Sequence, residues 1–260
     1  MTVREIAAAL DVWAPAQAAE SYDNVGLLAG DPDAEVRGVL INLDVTEAVV
    51  EEAASKGLNL IITHHPIWFG ARKRITTQDY VGRILLKAIQ KGVHLYAIHT
   101  NLDNIRTGVN LRMAERLGLG ELDFLRPNAT NAALGSGMIG FLPEVMEADA
   151  FLLRVKEAFR CGGIRYAAGP QKQIHRVAIC GGAGSFLTPE AIAAGADAFI
   201  TADITYHKFF DSEDKLFLLD IGHYESEQFT PALICEYLSE KFPTFALHLS
   251  ETLTNPVQYI

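Results

Sequence analysis

The spacing of apolar residues predicts that the chain opens with a short amphipathic helix. Val3, Ile6, Ala7 and Leu10 fall on one face, and Pro15 ends the pattern soon afterwards. The stretch SYDNVGLLAGDPD beyond it is polar and punctuated by glycine, which predicts loop with a short strand in it. From residue 38 the pattern becomes regular. GVLINLD (38–44) is an apolar run of the kind that forms a buried strand, and Thr46 is placed to cap the helix TEAVVEEAASKG, whose acidic residues read as its wet face. NLIITHH (59–65) is a second apolar run. A helix around 79–91, a strand HLYAIHT (94–100) and a helix from Gly108 to Leu119 come next.

Beyond a loop rich in Asn, Ala and Gly (128–137), a comparable series begins again. GMIGFL reads as a strand, 147–160 as a helix, and HRVAICGGAG as a strand with a glycine-rich turn. A helix opens at Thr188-Pro189, with Pro at the first helical position. AFITADI (198–204) is a strand, LFLLDIGHYESE (216–227) a strand running into a helix, and FALHLS a last strand. Strands alternating with helices of this length predict an α/β fold with parallel or mixed sheets covered by helices.

The two halves can be laid over each other. An offset of 138 places Ile41 on Ile179 and Ile62-Thr63-His64-His65 on Ile200-Thr201-Ala202-Asp203, and an offset of 124 places His99-x-x-x-Asp103 on His223-x-x-x-Glu227. Matches in the same order predict a duplicated α/β unit, residues 1–125 and 126–260.

Composition narrows the function classes. The 260 residues carry 32 acidic against 22 basic side chains, a formal net charge of −10, and 49% are hydrophobic. That apolar share excludes a disordered chain, and no run is apolar for long enough to span a bilayer. An acidic chain without a long Lys/Arg run has no general attraction for nucleic acid or an anionic membrane. The three cysteines, Cys161, Cys180 and Cys235, are widely spaced and form no CxxC pair, as expected of buried thiols in a reducing cytosol. The N-terminus has no charged-then-apolar signal layout, so a cytoplasmic protein is expected.

The residues that carry chemistry gather at the carboxyl ends of predicted strands, where ligands of open α/β sheets bind. His64 and His65 end one strand; His99, with Asp103 four residues on, ends the next; Asp203 and His207 come after a third; His223 and Glu227 after a fourth. Imidazole and carboxylate together suit Zn, Mn, Fe or Co. His223 and Glu227, at i and i+4, share a face if a helix begins at Gly222. One isolated histidine is better read as an ordinary core or surface residue, as for His94, His175 and His248. Five or six such groups at neighbouring strand ends are not, because burying them unpaired costs several kcal/mol each, roughly, and coordination removes that cost. CGGAGS (180–185) lies between a strand and a helix, so its N–H groups can cradle a phosphate or serve a purely geometric turn. Trp68 and Phe69 can stack a base, line a cleft wall or form an oligomer contact. Arg72, Lys73 and Arg74 are the only local basic cluster, facing substrate phosphates or simply solvent. There is no nucleophile elbow, Walker A or GxGxxG motif.

The motifs SYDNVGLLAGD, IITHHPIWF, IHTNLDN, ITADITYH and DIGHYESE together resemble those of the Nif-three-like family, whose bacterial members are often labelled GTP cyclohydrolase 1 type 2 homologues. The resemblance runs from residue 21 to 227. It implies two intertwined, duplicated α/β repeats with mixed sheets, a metal cleft holding two divalent ions per chain, and a homohexamer built as a trimer of dimers. Carried over motif by motif, the metal ligands are His64, His65, Asp103, His223 and Glu227. His99, Asp203 and His207 are then groups behind the ligands or facing the substrate. Tyr22 stands where many members have Trp, which alters packing more than chemistry, and the extra domain of longer members is missing between the halves. The activity implied is metal-dependent hydrolysis of a small molecule, a nucleotide or related metabolite, in its specific form the ring-opening of GTP with release of formate. Glu227 is then the bridging carboxylate, and His99 either a general acid/base or a partner orienting Asp103. The alternative is a non-catalytic metal-binding assembly for interaction or metal handling. A nucleic-acid-binding ring is the weakest reading at this net charge.

Overall fold

The structure, a computed structural model, describes residues 1–170 and 172–260. Along the chain run helix α1 (Val3–Trp13), strands β1 (Gly26–Ala29) and β2 (Val39–Asn42), helix α2 (Glu47–Ser55), strand β3 (Leu60–Thr63), helix α3 (Tyr80–Lys91), strand β4 (His94–Ala97) and a helical turn α4 (Thr100–Asp103). Next are helix α5 (Val109–Leu117), strands β5 (Gly120–Pro127) and β6 (Gly135–Glu147), helix α6 (Ala148–Ala158), strands β7 (Arg165–Ala167) and β8 (Gln173–Ile179), helix α7 (Thr188–Ala193), strand β9 (Ala198–Thr201), strand β10 (Phe217–Asp220) and helix α8 (His223–Glu227). Helix α9 (Thr230–Lys241) and strand β11 (Leu247–Leu249) come last. Contacts group the described residues into two compact units, one of Met1–Leu102 with Thr230–Pro256, the other of Asp103–Phe229 with Val257–Ile260. The repeat limits drawn from the sequence and these units are different divisions of the chain, because β11 returns to pair with β2.

In the first unit the sheet order is β1-β4-β3-β2-β11, with β1 antiparallel to β4 and the rest parallel. All four residues of β2 and of β3 are buried, as expected of parallel strands covered on both faces. Val49, Val50 and Ala53 of α2 and Val81, Ile84, Leu85 and Ala88 of α3 pack on Leu40, Ile61 and Leu95. Both helices start where their sequences say: the Thr46 side chain accepts from Val49 N–H, and that of Asp79 from Gly82 N–H.

The second unit's sheet order is β5-β6-β8-β9-β10-β7. β8, β9 and β10 are parallel, while β6 and β7 run antiparallel on either side. Val177, Ile179, Ile200 and Leu219 face one core with Met113, Leu117, Phe151 and Val155; Ala178, Phe199 and Leu218 face another with Leu187 and Ala191. The series β7-β10-β9-β8 repeats β1-β4-β3-β2, an edge strand antiparallel to the third of three parallel strands. This is the duplication that the sequence offsets trace.

Four elements are absent from the sequence reading, the single turn α4 among them. β5 is an irregular edge strand, with Glu121 at φ 52° and a register shift before Asp123; β7 has only three residues. Helix α9 does carry a start signal, Thr230-Pro231, the same pair that opens α7. The acidic residues of α2 are also more than a wet face. Glu47 and Glu51 pair with Arg83, Lys87 and Lys91 of α3.

Glu52 clamps the returning segment. Its carboxylate accepts from Ser250 Oγ and Thr252 Oγ1, both at 2.6 Å, from Glu251 N–H at 2.9 Å and from Lys56 Nζ at 2.9 Å. Burial raises its pKa, but these donors outweigh burial and bring it down to about 2 from 4.5. A carboxylate depressed on folding stabilises the fold above its unfolded pKa and loses that contribution as the pH falls. Glu52→Gln is therefore expected to lower unfolding free energy at pH 7 by about 2 kcal/mol. In urea titrations, the gap to wild type should close as the pH drops from 4.5 toward 2.

Candidate metal centre

Parallel strands in register end together, so the residues immediately past their ends collect along one sheet edge. In the first unit Asn42, Thr63 and Ala97 are register partners. Just beyond them lie Leu43-Asp44, His64-His65 and Ile98-His99. Adjacent residues of an extended strand point apart, but the chain turns at this point. Thr63 Oγ1 donates to the His65 carbonyl at 2.8 Å, and the two rings lie 5.0 Å apart. One ligand atom from each of His64, His65 and His99 falls within 4.8 Å of the others.

Each of these rings is held by the same device. His64 Nδ1 is 2.9 Å from the Ile98 carbonyl, His65 Nδ1 2.7 Å from Asp44 Oδ1, and His99 Nδ1 2.8 Å from Asp23 Oδ2. An oxygen acceptor fixes the proton on Nδ1 and leaves the Nε2 lone pair for a cation, the usual arrangement behind a histidine ligand. The acceptors are braced in turn. Asp44 Oδ2 accepts from Thr254 Oγ1 at 2.8 Å, and Asp23 also accepts from Thr100 Oγ1 and N–H. Burial raises the Asp23 pKa, but the His99 and Thr100 hydrogen bonds hold it at about 2. Neither Asp23 nor Asp44 was assigned from the sequence. Asp44 was within reach, being a carboxylate at the end of an apolar run beside the His64-His65 strand; Asp23 comes from a loop, which strand-end reasoning passes over.

In the second unit the same edge carries Asp203 after β9 and His223 after β10. His223 Nδ1 is 2.8 Å from Asp203 Oδ2, and its Nε2 is 3.1 Å from Glu227 Oε2 one helical turn on. A single turn, α8, thus presents an imidazole nitrogen and a 3%-exposed carboxylate to one point. Burial lowers the His223 pKa, but Glu227 and Asp203 outweigh it and raise the ring to about 11. Asp103, at the end of α4, acts with Glu227 on Cys180: after burial, their charges are the next causes pushing that thiol's pKa up. Once the proton between His223 and Glu227 is given up, imidazole nitrogens and carboxylates of this kind fit a Zn, Mn, Fe or Co ion.

His207 is set apart from this edge, exposed on the 3₁₀ turn Tyr206–Ser212 with its ring against Tyr206. The CGGAGS loop is a brace rather than an open cradle at three of its N–H groups. Gly181 N–H donates to Asn110 Oδ1, Gly182 N–H to Ser226 Oγ and Gly184 N–H to Thr201 Oγ1. Gly182 has φ +59°, and a Cβ there would come within 2.5 Å of Glu227 Oε1, so the loop closes directly on the carboxylate.

A family model described as Duf34/NIF3 (NGG1p interacting factor 3) matches residues 1–256. A protein of Clostridium acetobutylicum named GTP cyclohydrolase 1 type 2 homolog is 35% identical over 231 residues, covering 87% of this chain and 85% of that protein. One of the same name from Clostridium perfringens is 33% identical over 100% of this chain and 95% of its own length. The crystal structure of a Bacillus cereus protein related to NIF3 superposes with a TM-score of 0.94 at 25% identity, covering 100% of this chain and 99% of the other. Among the described residues no helix is long and apolar enough to cross a membrane.

Removing an acceptor behind a histidine frees the ring to rotate and to change tautomer. Asp44→Ala and Asp203→Ala are each expected to weaken divalent-metal affinity by about 10- to 100-fold while circular dichroism stays that of wild type. A chelator-competition titration checks this.

Proposed function

Because this chain belongs to the Duf34/NIF3 family, we propose that it holds two divalent metal ions and hydrolyses a nucleotide or a related small metabolite. The observation that carries this reading is the recurrent bracing of His64, His65, His99 and His223, each with Nδ1 on an oxygen. The residues that would hold them are His64, His65, Asp103, His223 and Glu227, and Glu227, with two carboxylate oxygens, could serve both. Divalent ions supply Lewis acidity in such a site, lowering the pKa of water and holding a substrate oxygen.

The chain's own residues do the rest. With its Nδ1 proton held by Asp23, His99 offers Nε2 as the atom that takes and returns a proton, and the buried Asp23 carboxylate stabilises the imidazolium in between. Asp44 and Asp203 keep their histidines in the liganding tautomer. The name carried by the Clostridium relatives supports a specific form of the reaction, opening of the purine ring of GTP with release of formate. Assembly as a homohexamer, a trimer of dimers in the cytoplasm, belongs to the same proposal and is checked by native mass measurement. A second reading is a non-catalytic metal-binding assembly, favoured by the interaction partner in the family's description.

Formate release from GTP is the test, with protein reconstituted with Zn, Mn or Fe. Wild type is expected to release formate. His65→Ala and Glu227→Ala should release none, lose metal by elemental analysis and keep the wild-type fold, since the core strands do not depend on either side chain. Metal-loaded wild type that releases no formate favours the second reading. Full metal occupancy in both variants removes the ligand assignment.

A further inference from the structure

The loop after β3 holds an aromatic ring out in solvent, and holds it firmly. Phe69 is 57% exposed, while its neighbour Trp68 is half-buried against the first unit's core. The Asn24 side chain donates Nδ2–H to the Trp68 carbonyl at 2.9 Å and to the Gly70 carbonyl at 3.0 Å, pinning the chain on both sides of Phe69. Asn24 is itself fixed, its N–H donating to Asp23 Oδ1 at 2.8 Å, and Asp23 is the residue that orients His99. Two consecutive residues therefore brace a histidine of the metal-competent cluster and an exposed ring together.

The rings form a strip. His65 and His99 are 5.4 Å apart between centroids, His99 and Phe69 5.7 Å, and Phe69 and Tyr22 6.4 Å. The two histidines are largely covered, and the strip opens to solvent at Phe69 and at Tyr22, 61% exposed. Basic residues follow Phe69 in the same loop. Lys73 and Arg74 are exposed and make no ion pair among the described residues, whereas Arg72 is engaged by Asp79. In a chain of net charge −10, this is the one local basic cluster.

We propose that Phe69 and Tyr22 are a stacking platform for a planar heterocycle bearing phosphate, with Lys73 and Arg74 meeting the phosphate and the histidine cluster meeting the ring. A flat ring stacks on exposed aromatics without a hydrogen-bond code, and an anion is drawn to unpaired cations, so the two features together select that class. The inference rests on the reading of the histidine cluster as a reacting centre, and it assigns the specificity-determining residues of that site. Asn24 is a positioning residue, acting through the backbone on either side of Phe69.

Binding of GTP, guanosine and tripolyphosphate to the full-length chain, metal-loaded and chelator-treated, tests it by calorimetry. Phe69→Ala should weaken GTP and guanosine by about ten-fold or more and leave tripolyphosphate unchanged. Phe69→Trp should restore the loss, and Asn24→Ala should reproduce part of it. Lys73→Ala with Arg74→Ala should weaken GTP and tripolyphosphate but not guanosine. Metal content should equal that of wild type in all of them. Wild-type protein that binds neither GTP nor guanosine overturns the platform, as does wild-type GTP affinity in Phe69→Ala. A change of assembly mass in Phe69→Ala with unchanged GTP affinity also overturns it and makes the strip a contact between copies of the chain. Because guanosine binding is read with and without metal, the platform and the metal centre fail separately.

Discussion

A histidine carried past the end of a buried parallel strand must find an acceptor for one ring nitrogen, and that choice decides what the other nitrogen can do. Here the acceptor meets Nδ1 at His64, His65, His99 and His223. The cost of leaving a polar group buried and unsatisfied is thereby removed on one side of each ring; at His64, His65 and His99 the same bond directs the Nε2 lone pair, and at His223 it turns Nε2 to Glu227. Much else in the chain serves these acceptors. The last strand returns to β2, and the residues beyond it deliver Thr254 to Asp44 while Glu52 clamps the intervening turn. The loop before β1 delivers Asp23, and Thr100 at the start of α4 holds it.

The repeat shows how one scaffold reaches that result twice with different residues. His65 in the first repeat corresponds to Asp203 in the second. In the first, the residue is a ring held by a carboxylate; in the second, it is the carboxylate that holds a ring, His223. Asp203 takes φ +54° at this position, a backbone state that Asp tolerates better than branched residues do. His223 and Glu227 depend on close approach as well. Gly182 lies against both, and the loop that carries it is tied down through Asn110, Ser226 and Thr201. Gly181 and Gly182 are thus explained by close approach to Glu227 and, for Gly182, to His223, and Gly184 by its packing on Cys180 and Thr201.

The parallel strands and their helices were legible because burial on both faces writes itself as continuous apolar runs, as in VLIN and LIIT, and because Thr46 caps in the expected way. The strand-end histidines were legible for the same reason: a polar residue ending an apolar run is conspicuous. β5 and β7 were not, since an edge strand needs no apolar run and β7 is only three residues long. Asp23 was hidden because its role depends on a tertiary contact with His99 across 76 residues of chain. The return of β11 to the first unit is likewise a pairing that periodicity does not encode.

Presentation of the histidine rings through Nε2 is the property on which the site depends. It is tested most directly by a crystal structure of the zinc-loaded protein with anomalous data at the zinc edge. Anomalous peaks are expected at about 2.0–2.1 Å from Nε2 of His64, His65 and His223, with every Nδ1–oxygen contact retained. Zinc bonded to an Nδ1, or bound away from these residues altogether, would contradict it.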